Sequence, residues 1–252
     1  MNYFDYPTVA VRYATGRPFF HPLAITRIQK FCCENSRVDR ALDVGCGTGQ
    51  STLALLEIAE ELIGTDVSLE MLSQAEGHPR IRYVEGQAEK IPFPDESFGL
   101  ITVALAFHWF DRRKFLLEAK RLLKSGGWLV IYNDGFTGRM SGNPDFENWN
   151  RDQYLVRYPT PPRNDRLPAH FDSSEYRLAA CGSDEFIHKV EFTADQLVRY
   201  LLSQTNVISA VEGRRGDLQS IAQWLAESVR PMFGGATEFF HFSCQIQFFR
   251  RT

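Results

Sequence analysis

The chain has 252 residues, 44% of them apolar and 23% charged, and a formal net charge of −3. That balance fits an ordinary globular protein of one large α/β domain or two small ones, and it offers no overall basic field for nucleic acid or anionic membrane. Five cysteines without a C-x-x-C spacing and six histidines without ligand spacing argue against a disulfide framework and against any metal site.

Residues 1–20 carry Tyr3, Phe4, Tyr6, Arg12, Tyr13, Arg17, Phe19 and Phe20 with no clear period, and read as an ordered arm. They lack the basic-then-apolar form of a signal peptide, and no apolar run reaches the roughly 18 residues of a membrane span, so the expectation is a cytoplasmic protein. Pro22 suits a first helical turn, and Ile25, Ile28 and Cys32 share a stripe, which predicts a helix over 22–34. Strands and helices then alternate. Strands are expected over 40–44, 61–66, 81–85, 100–106 and 128–132. Between them lie a helix with Leu53 and Leu56, one capped by Ser68 with Leu69, Leu72 and Ala75 inward, and one capped by Asp111 with Phe115, Ala119 and Leu122 inward, stopped by Gly126-Gly127. This order predicts a doubly wound, mainly parallel, Rossmann-like seven-stranded sheet.

Residues 133–182 are rich in Pro, Asn, Asp and Arg, with Trp149, Tyr154 and Tyr158 interleaved. So long an irregular stretch reads as a lid over a substrate. Afterwards come a strand over 186–192, a helix opened by the capping box Thr193-x-x-Gln196, and a helix over 215–230. Alternation of Phe240, Phe242, Cys244, Ile246 and Phe248 predicts a last strand, antiparallel near the sheet edge. With no repeat, linker or second core evident, the whole of 1–252 reads as one domain.

The chemistry concentrates in Asp43-Val44-Gly45-Cys46-Gly47-Thr48-Gly49, a strand end followed by glycine at every second position. Glycine permits a tight turn and lets backbone N–H groups approach a ligand, while the preceding carboxylate suits an ammonium group better than a pyrophosphate. The G-x-G-x-G spacing departs from the dinucleotide fingerprint. Asp66 ends the second strand, where a carboxylate can accept from both hydroxyls of a ribose. Gly86-Gln87-Ala88-Glu89 follows the third strand; Ala88 is small enough to lie against an adenine face, with Gln87 or Glu89 at its edge. The segment Leu105 to Phe110, with His108 and Trp109, leaves the fourth strand toward a ligand's reactive end.

On these residues, on Asp66-Val67-Ser68 with Met71, on Phe93-Pro94-Asp95-Glu96-Ser97-Phe98 and on Tyr13-Ala14-x-x-Arg17-Pro18, the chain resembles class I S-adenosylmethionine-dependent methyltransferases of the small-molecule type, trans-aconitate methyltransferases included. The resemblance covers residues 10–133 well and the rest loosely. It implies that Gly45, Cys46, Gly47 and Gly49 wrap the methionine part of S-adenosyl-L-methionine and that Asp43 acts on its ammonium group. By the same resemblance Asp66 holds the ribose, while Val67, Met71, Gln87, Ala88 and Glu89 form the adenine pocket. Ala104 and His108 border the cofactor, Tyr13 and Arg17 close over it, and residues 1–34 form the cover. The product is S-adenosyl-L-homocysteine. Relatives usually carry aspartate where this chain has Gly99, which alters a turn without removing a cofactor contact.

Methyl transfer from a sulfonium depends chiefly on holding the acceptor close and aligned. A carboxylate acceptor, such as trans-aconitate, calls for an arginine clamp, for which Arg12, Arg139, Arg157, Arg163 and Arg166 are candidates. A hydroxylated or quinone-like acceptor calls for a base, for which His108 is best placed, although His108-Trp109 equally reads as a packing pair. Trp109, Trp149 and Tyr154 are the candidate substrate contacts. Rival readings are a nicotinamide dehydrogenase, disfavoured by loop spacing, and an inactive cofactor-binding scaffold. The expected partner is a small-molecule methyl acceptor, with the chain a monomer or homodimer.

Overall fold

Short apolar segments, each returned by a helix or loop, set five strands side by side in the computed structural model, which describes residues 4–33, 36–161 and 176–252. The strands are β1 (Val38–Val44), β2 (Ala59–Asp66), β3 (Ile81–Glu85), β4 (Phe98–Ala104) and β5 (Leu123–Met140). Each neighbouring pair among them is parallel, with Val44 opposite Thr65 and Asp43 opposite Thr102. Two further strands, β6 (Leu178–Phe192) and β7 (Glu238–Arg251), complete the order β3-β2-β1-β4-β5-β7-β6. The expected doubly wound, mainly parallel sheet with antiparallel pairing near the C-terminus is therefore the observed one. Strand order reverses beside β1, which puts the ligand crevice of such sheets at the carboxyl ends of β1 and β4.

The chain divides into two compact units. The larger comprises Phe19–Asn133, Arg163–Glu185 and Cys244–Thr252, and the smaller Met1–Pro18, Asp134–Pro162 and Phe186–Ser243. In the larger, Leu42, Ile63, Phe98, Ile101, Phe115, Ala119, Leu122 and Leu129 are buried in one apolar cluster. Its helices are α2 (His21–Cys32), α3 (Gln50–Ala54), α4 (Leu69–Leu72) and α5 (Arg112–Leu122). Ser68 and Asp111 cap α4 and α5 as the sequence predicts, accepting from Met71 N and Lys114 N.

The smaller unit holds α1 (Pro7–Gly16), α6 (Pro144–Trp149), α7 (Leu155–Arg157), α8 (Ala194–Leu202), α9 (Thr205–Glu212) and α10 (Leu218–Val229). Its separate core is aromatic, with Phe146, Trp149, Tyr154, Phe192, Tyr200, Phe240 and Phe242 all buried. The predicted capping box Thr193–Gln196 opens α8 with both reciprocal bonds in place.

Several expectations are corrected. Residues 7–16 form a helix rather than an aperiodic arm, started by Pro7 in its first turn. Gly16 explains its close packing: a Cβ there would stand 2.6 Å from the Arg199 carbonyl oxygen of α8. On α4 the buried residue is Met71, while Leu69 is 60% exposed, because a one-turn helix has no stable stripe to hide it. α5 ends at Leu122, so Gly126 and Gly127 lie within β5 rather than stopping the helix. Gly99 lies inside β4, at a register irregularity between Phe98 and Leu100, and not in a turn. The stretch expected to be irregular from residue 133 continues β5 to Met140 and then turns helical at Pro144. Residues 162–175 of the expected lid, with Arg163 and Arg166, lie outside the described residues. Among the described residues no helix is long and apolar enough to cross a membrane.

Tyr154 anchors the smaller core. Its buried hydroxyl donates to Asn206 Oδ1 at 3.2 Å, and Asn206 Nδ2 donates to the Tyr158 carbonyl at 2.9 Å. Removing that hydroxyl leaves a buried acceptor short of a partner. Tyr154→Phe is therefore expected to lower stability by about 1–2 kcal/mol, read as a reduced denaturant midpoint at unchanged slope.

Candidate functional site

The carboxyl ends of β1 to β4 in the larger unit bring most of the predicted residues together. β1 ends in a turn whose three glycines have φ of +70° at Gly45, +54° at Gly47 and +78° at Gly49, the left-handed region that side chains disfavour. Space gives a second reason at Gly45, where a Cβ would meet the Ala106 methyl at 2.6 Å. The turn is pinned to β2, since Gly45 N and Cys46 N both donate to the Thr65 carbonyl, at 2.7 and 3.0 Å.

Asp43 lies beneath this turn with no exposed surface. Its Oδ2 accepts from Ser51 Oγ at 2.6 Å and Thr52 Oγ1 at 2.7 Å, and its Oδ1 accepts from Thr102 Oγ1 at 2.9 Å. Burial pushes its carboxyl up to about 6; the three hydroxyl donors oppose the shift, and the nearby negative charge of Asp66 adds to it. Burial likewise pushes the Cys46 thiol up, so it stays protonated and unreactive. The sequence singled out Asp43 but missed its three partners; the signal was hydroxyl residues eight and nine positions on, in the first turn of the next helix.

Asp66 ends β2 and is half-exposed. Oδ2 accepts from Gly47 N at 2.8 Å and Oδ1 from Ser68 N at 2.9 Å, so one carboxylate joins the glycine turn to the start of α4. Val67 is 52% exposed beside it, and Met71 is buried with its methyl 3.2 Å from where a Gly47 Cβ would stand. After β3, Ala88 is buried, Gln87 is exposed, and Glu89 Oε1 accepts from Asp111 N at 2.7 Å.

β4 ends with Ala104 buried, followed by Leu105 at φ +57°. A branched residue in that region is strained, and strain of this kind collects at ligand sites. Leu105 N donates to the Tyr132 carbonyl at 2.9 Å, which holds the conformation. His108 and Trp109 follow with ring centroids 4.8 Å apart, and Trp109 is 40% exposed. Sequence reasoning also missed His21, whose Nδ1 lies 2.9 Å from the Tyr132 hydroxyl; burial pulls its imidazole down to about 3 and keeps it neutral.

The remaining candidates belong to the smaller unit. Arg17 Nη2 donates to the Ser203 carbonyl at 2.9 Å, and its guanidinium lies 4.7 Å from the Tyr13 ring centroid and 5.2 Å from that of Tyr200. Trp149 and Tyr154 are core residues, stacked at 5.7 Å. Three of the candidate clamp arginines have partners there: Arg12 pairs with Glu212 at 3.0 Å, Arg139 with Glu147 at 3.3 Å, and Arg157 lies over Trp224 at 4.7 Å.

Residues 42–131 match the family model of a methyltransferase domain. A protein of Dictyostelium discoideum assigned as a methyltransferase is 35% identical over 138 residues, 55% of this chain and 51% of its own length. The demethylmenaquinone methyltransferase of Thermotoga maritima is 41% identical over 97 residues, 37% of this chain and 42% of its own. The chain thus spans about half or less of the curated relatives it matches. Among solved structures, a protein of Anaeromyxobacter dehalogenans assigned as a type II methyltransferase superposes with a TM-score of 0.69 at 23% identity, over 93% of this chain and 97% of that one. The fold is the Rossmann-like one found in methyltransferases.

Two outcomes follow from this geometry. Gly45→Ala combines a disfavoured φ with overlap on Ala106, so a loss of roughly 2–4 kcal/mol is expected in chemical denaturation. Asp43, with its carboxyl raised in the folded state, binds its proton more tightly folded than unfolded. Its contribution to stability therefore falls as pH rises between about 4 and 6, by on the order of 3 kcal/mol, and is constant above. Wild-type stability relative to Asp43→Asn should decline across that window in pH-resolved unfolding.

Proposed function

We propose that the chain is an S-adenosylmethionine-dependent methyltransferase acting on a small molecule. The observation that carries this reading is Asp66, a half-exposed carboxylate at the end of β2 that reaches the Gly47 N–H of a three-glycine turn at 2.8 Å. The match of residues 42–131 to a methyltransferase domain supports it. The donor set fits the cofactor: small or glycine residues where a backbone must approach, a carboxylate for the ribose, and the exposed Val67 with the buried Ala88 for an adenine. When bound, the cofactor supplies an electrophilic methyl on a sulfonium, which needs alignment more than acid–base help. Gly45, Cys46, Gly47 and Gly49 hold its amino-acid part, Asp43 fixes the turn beneath it, and Met71, Gln87 and Glu89 bound the adenine. Ala104 and His108 border its reactive end.

Between a carboxylate acceptor such as trans-aconitate and a hydroxylated or quinone-like one, the second is favoured. Among the described residues, the candidates Arg12, Arg139 and Arg157 already have partners, which weakens the clamp a carboxylate requires. Similarity to a demethylmenaquinone methyltransferase points the same way.

Calorimetric titration tests the cofactor. S-adenosylmethionine should bind the wild-type protein and NAD should not, and Asp66→Ala should weaken binding about tenfold or more, or about 1.4 kcal/mol. NAD binding without S-adenosylmethionine binding would replace this reading with a dehydrogenase. An unchanged affinity in Asp66→Ala would move the ribose elsewhere.

A further inference from the structure

The loop that follows β3 is held from both ends of α5. At the start of the helix, Asp111 N donates to Glu89 Oε1 at 2.7 Å. Toward its end, Glu118 Oε1 accepts from Ile91 N at 2.7 Å, and Arg121 spreads its guanidinium over the same loop. Arg121 Nη1 donates to the Phe93 carbonyl and to Asp95 Oδ1, both at 2.8 Å, and Nη2 donates to the Ile91 carbonyl at 3.1 Å. The fork also grips Glu118, with Nε donating to Oε2 at 2.8 Å and Nη2 to Oε1 at 2.7 Å. The Arg121 carbonyl in turn accepts from Glu96 N at 2.9 Å. All these residues belong to the larger unit.

The Glu118 side chain is only 11% exposed. Burial works against its charge, but the Arg121 guanidinium and the Ile91 N–H outweigh that cost and hold its carboxyl below the usual carboxylate range. What the bonds share is their target. Each falls on residues 89–96, the segment that continues the turn Gln87-Ala88-Glu89, in which Lys90 N donates to the Gln87 carbonyl at 3.0 Å. On its other side the turn hangs from β2, since Gly86 N donates to the Asp66 carbonyl at 3.0 Å. The turn is therefore fixed between the strand that carries Asp66 and the helix that carries Glu118 and Arg121. A planar guanidinium fork fixes direction as well as distance, which a lysine at the same place does not.

We propose that Glu118 and Arg121 are positioning residues for base recognition: through the 89–96 loop they set where Gln87, Ala88 and Glu89 meet the adenine edge, and so set the preference for a 6-aminopurine. This rests on the methyltransferase reading and deepens it by naming what tunes the cofactor pocket. Neither residue touches the base; both act through the loop they hold. A hydrogen bond to the base edge weakens steeply as its angle opens, whereas apolar contact with the ring face tolerates a small shift. Loosening the loop therefore costs an adenine ligand more than a ligand whose base edge already mismatches the turn.

The test titrates the full chain calorimetrically with S-adenosylhomocysteine and S-inosylhomocysteine, which differ only at the purine edge, 6-amino against 6-oxo. Wild-type protein should prefer the adenine ligand. Glu118→Gln and Arg121→Lys should each weaken S-adenosylhomocysteine binding about tenfold and change S-inosylhomocysteine binding less than about twofold, so that the preference collapses. General loss of structure weakens both ligands alike, so equal losses overturn the proposal, as does an unchanged preference. The wild-type protein supplies a second readout that no folding defect affects. Amide exchange at Ile91 and Asp111 should slow more with S-adenosylhomocysteine than with its inosine counterpart, and equal protection by the two overturns the proposal. Binding of neither ligand to the wild type overturns the methyltransferase reading, whereas binding of both without preference leaves that reading standing and sinks this one.

Discussion

The candidate cofactor site depends on one buried carboxylate. Asp43 draws together two hydroxyls from the first turn of α3 and one from β4, so three elements meet on two oxygens. A charge taken out of water is tolerated only when its lone pairs are filled, and here the filling groups are the elements that frame the glycine turn. The turn itself contributes little to its own stability, since glycine loses more backbone entropy on ordering than any other residue. Its shape is imposed from below by Asp43 and from the side by Thr65 and Asp66.

This arrangement also fixes the Asp66 carboxylate, which accepts from Gly47 N and Ser68 N. A carboxylate already pointed by two backbone N–H groups loses little freedom when a diol arrives, and preorganisation of that kind lowers the cost of binding. Leu105 shows the complementary device. Its left-handed backbone at the end of β4 costs energy that the Tyr132 carbonyl and the packed sheet offset, and it redirects the chain from β4 into the His108-Trp109 turn.

What was legible in the sequence followed from locality. The glycine turn, the caps at Ser68, Asp111 and Thr193 and the strands of the sheet are written in short spans, because period, cap and turn chemistry act over a few residues. Errors arose where tertiary context overruled those rules. α1 carries aromatics and arginine on several sides, so its period is blurred, and its placement rests on the contact of Gly16 with α8. β5 runs eighteen residues, past residue 133, where the sequence suggested that an irregular stretch begins. α9 went unread because Asn206 and Ser209, polar by type, are buried in it. Trp149 and Tyr154 resembled surface contacts only because proline and charged residues surround them in sequence.

The same contrast separates two kinds of polar residue in this chain. Asp43 and Asp66 lie near strand ends, where the topology of such sheets concentrates polar groups, so a sequence that reveals its strands reveals them too. Asp134 and His188 are 54 residues apart and meet only because β5 and β6 belong to one sheet, two strands apart in its order. Nothing local marks either residue except the lapse in alternation at His188, an imidazole where the pattern calls for a hydrophobe.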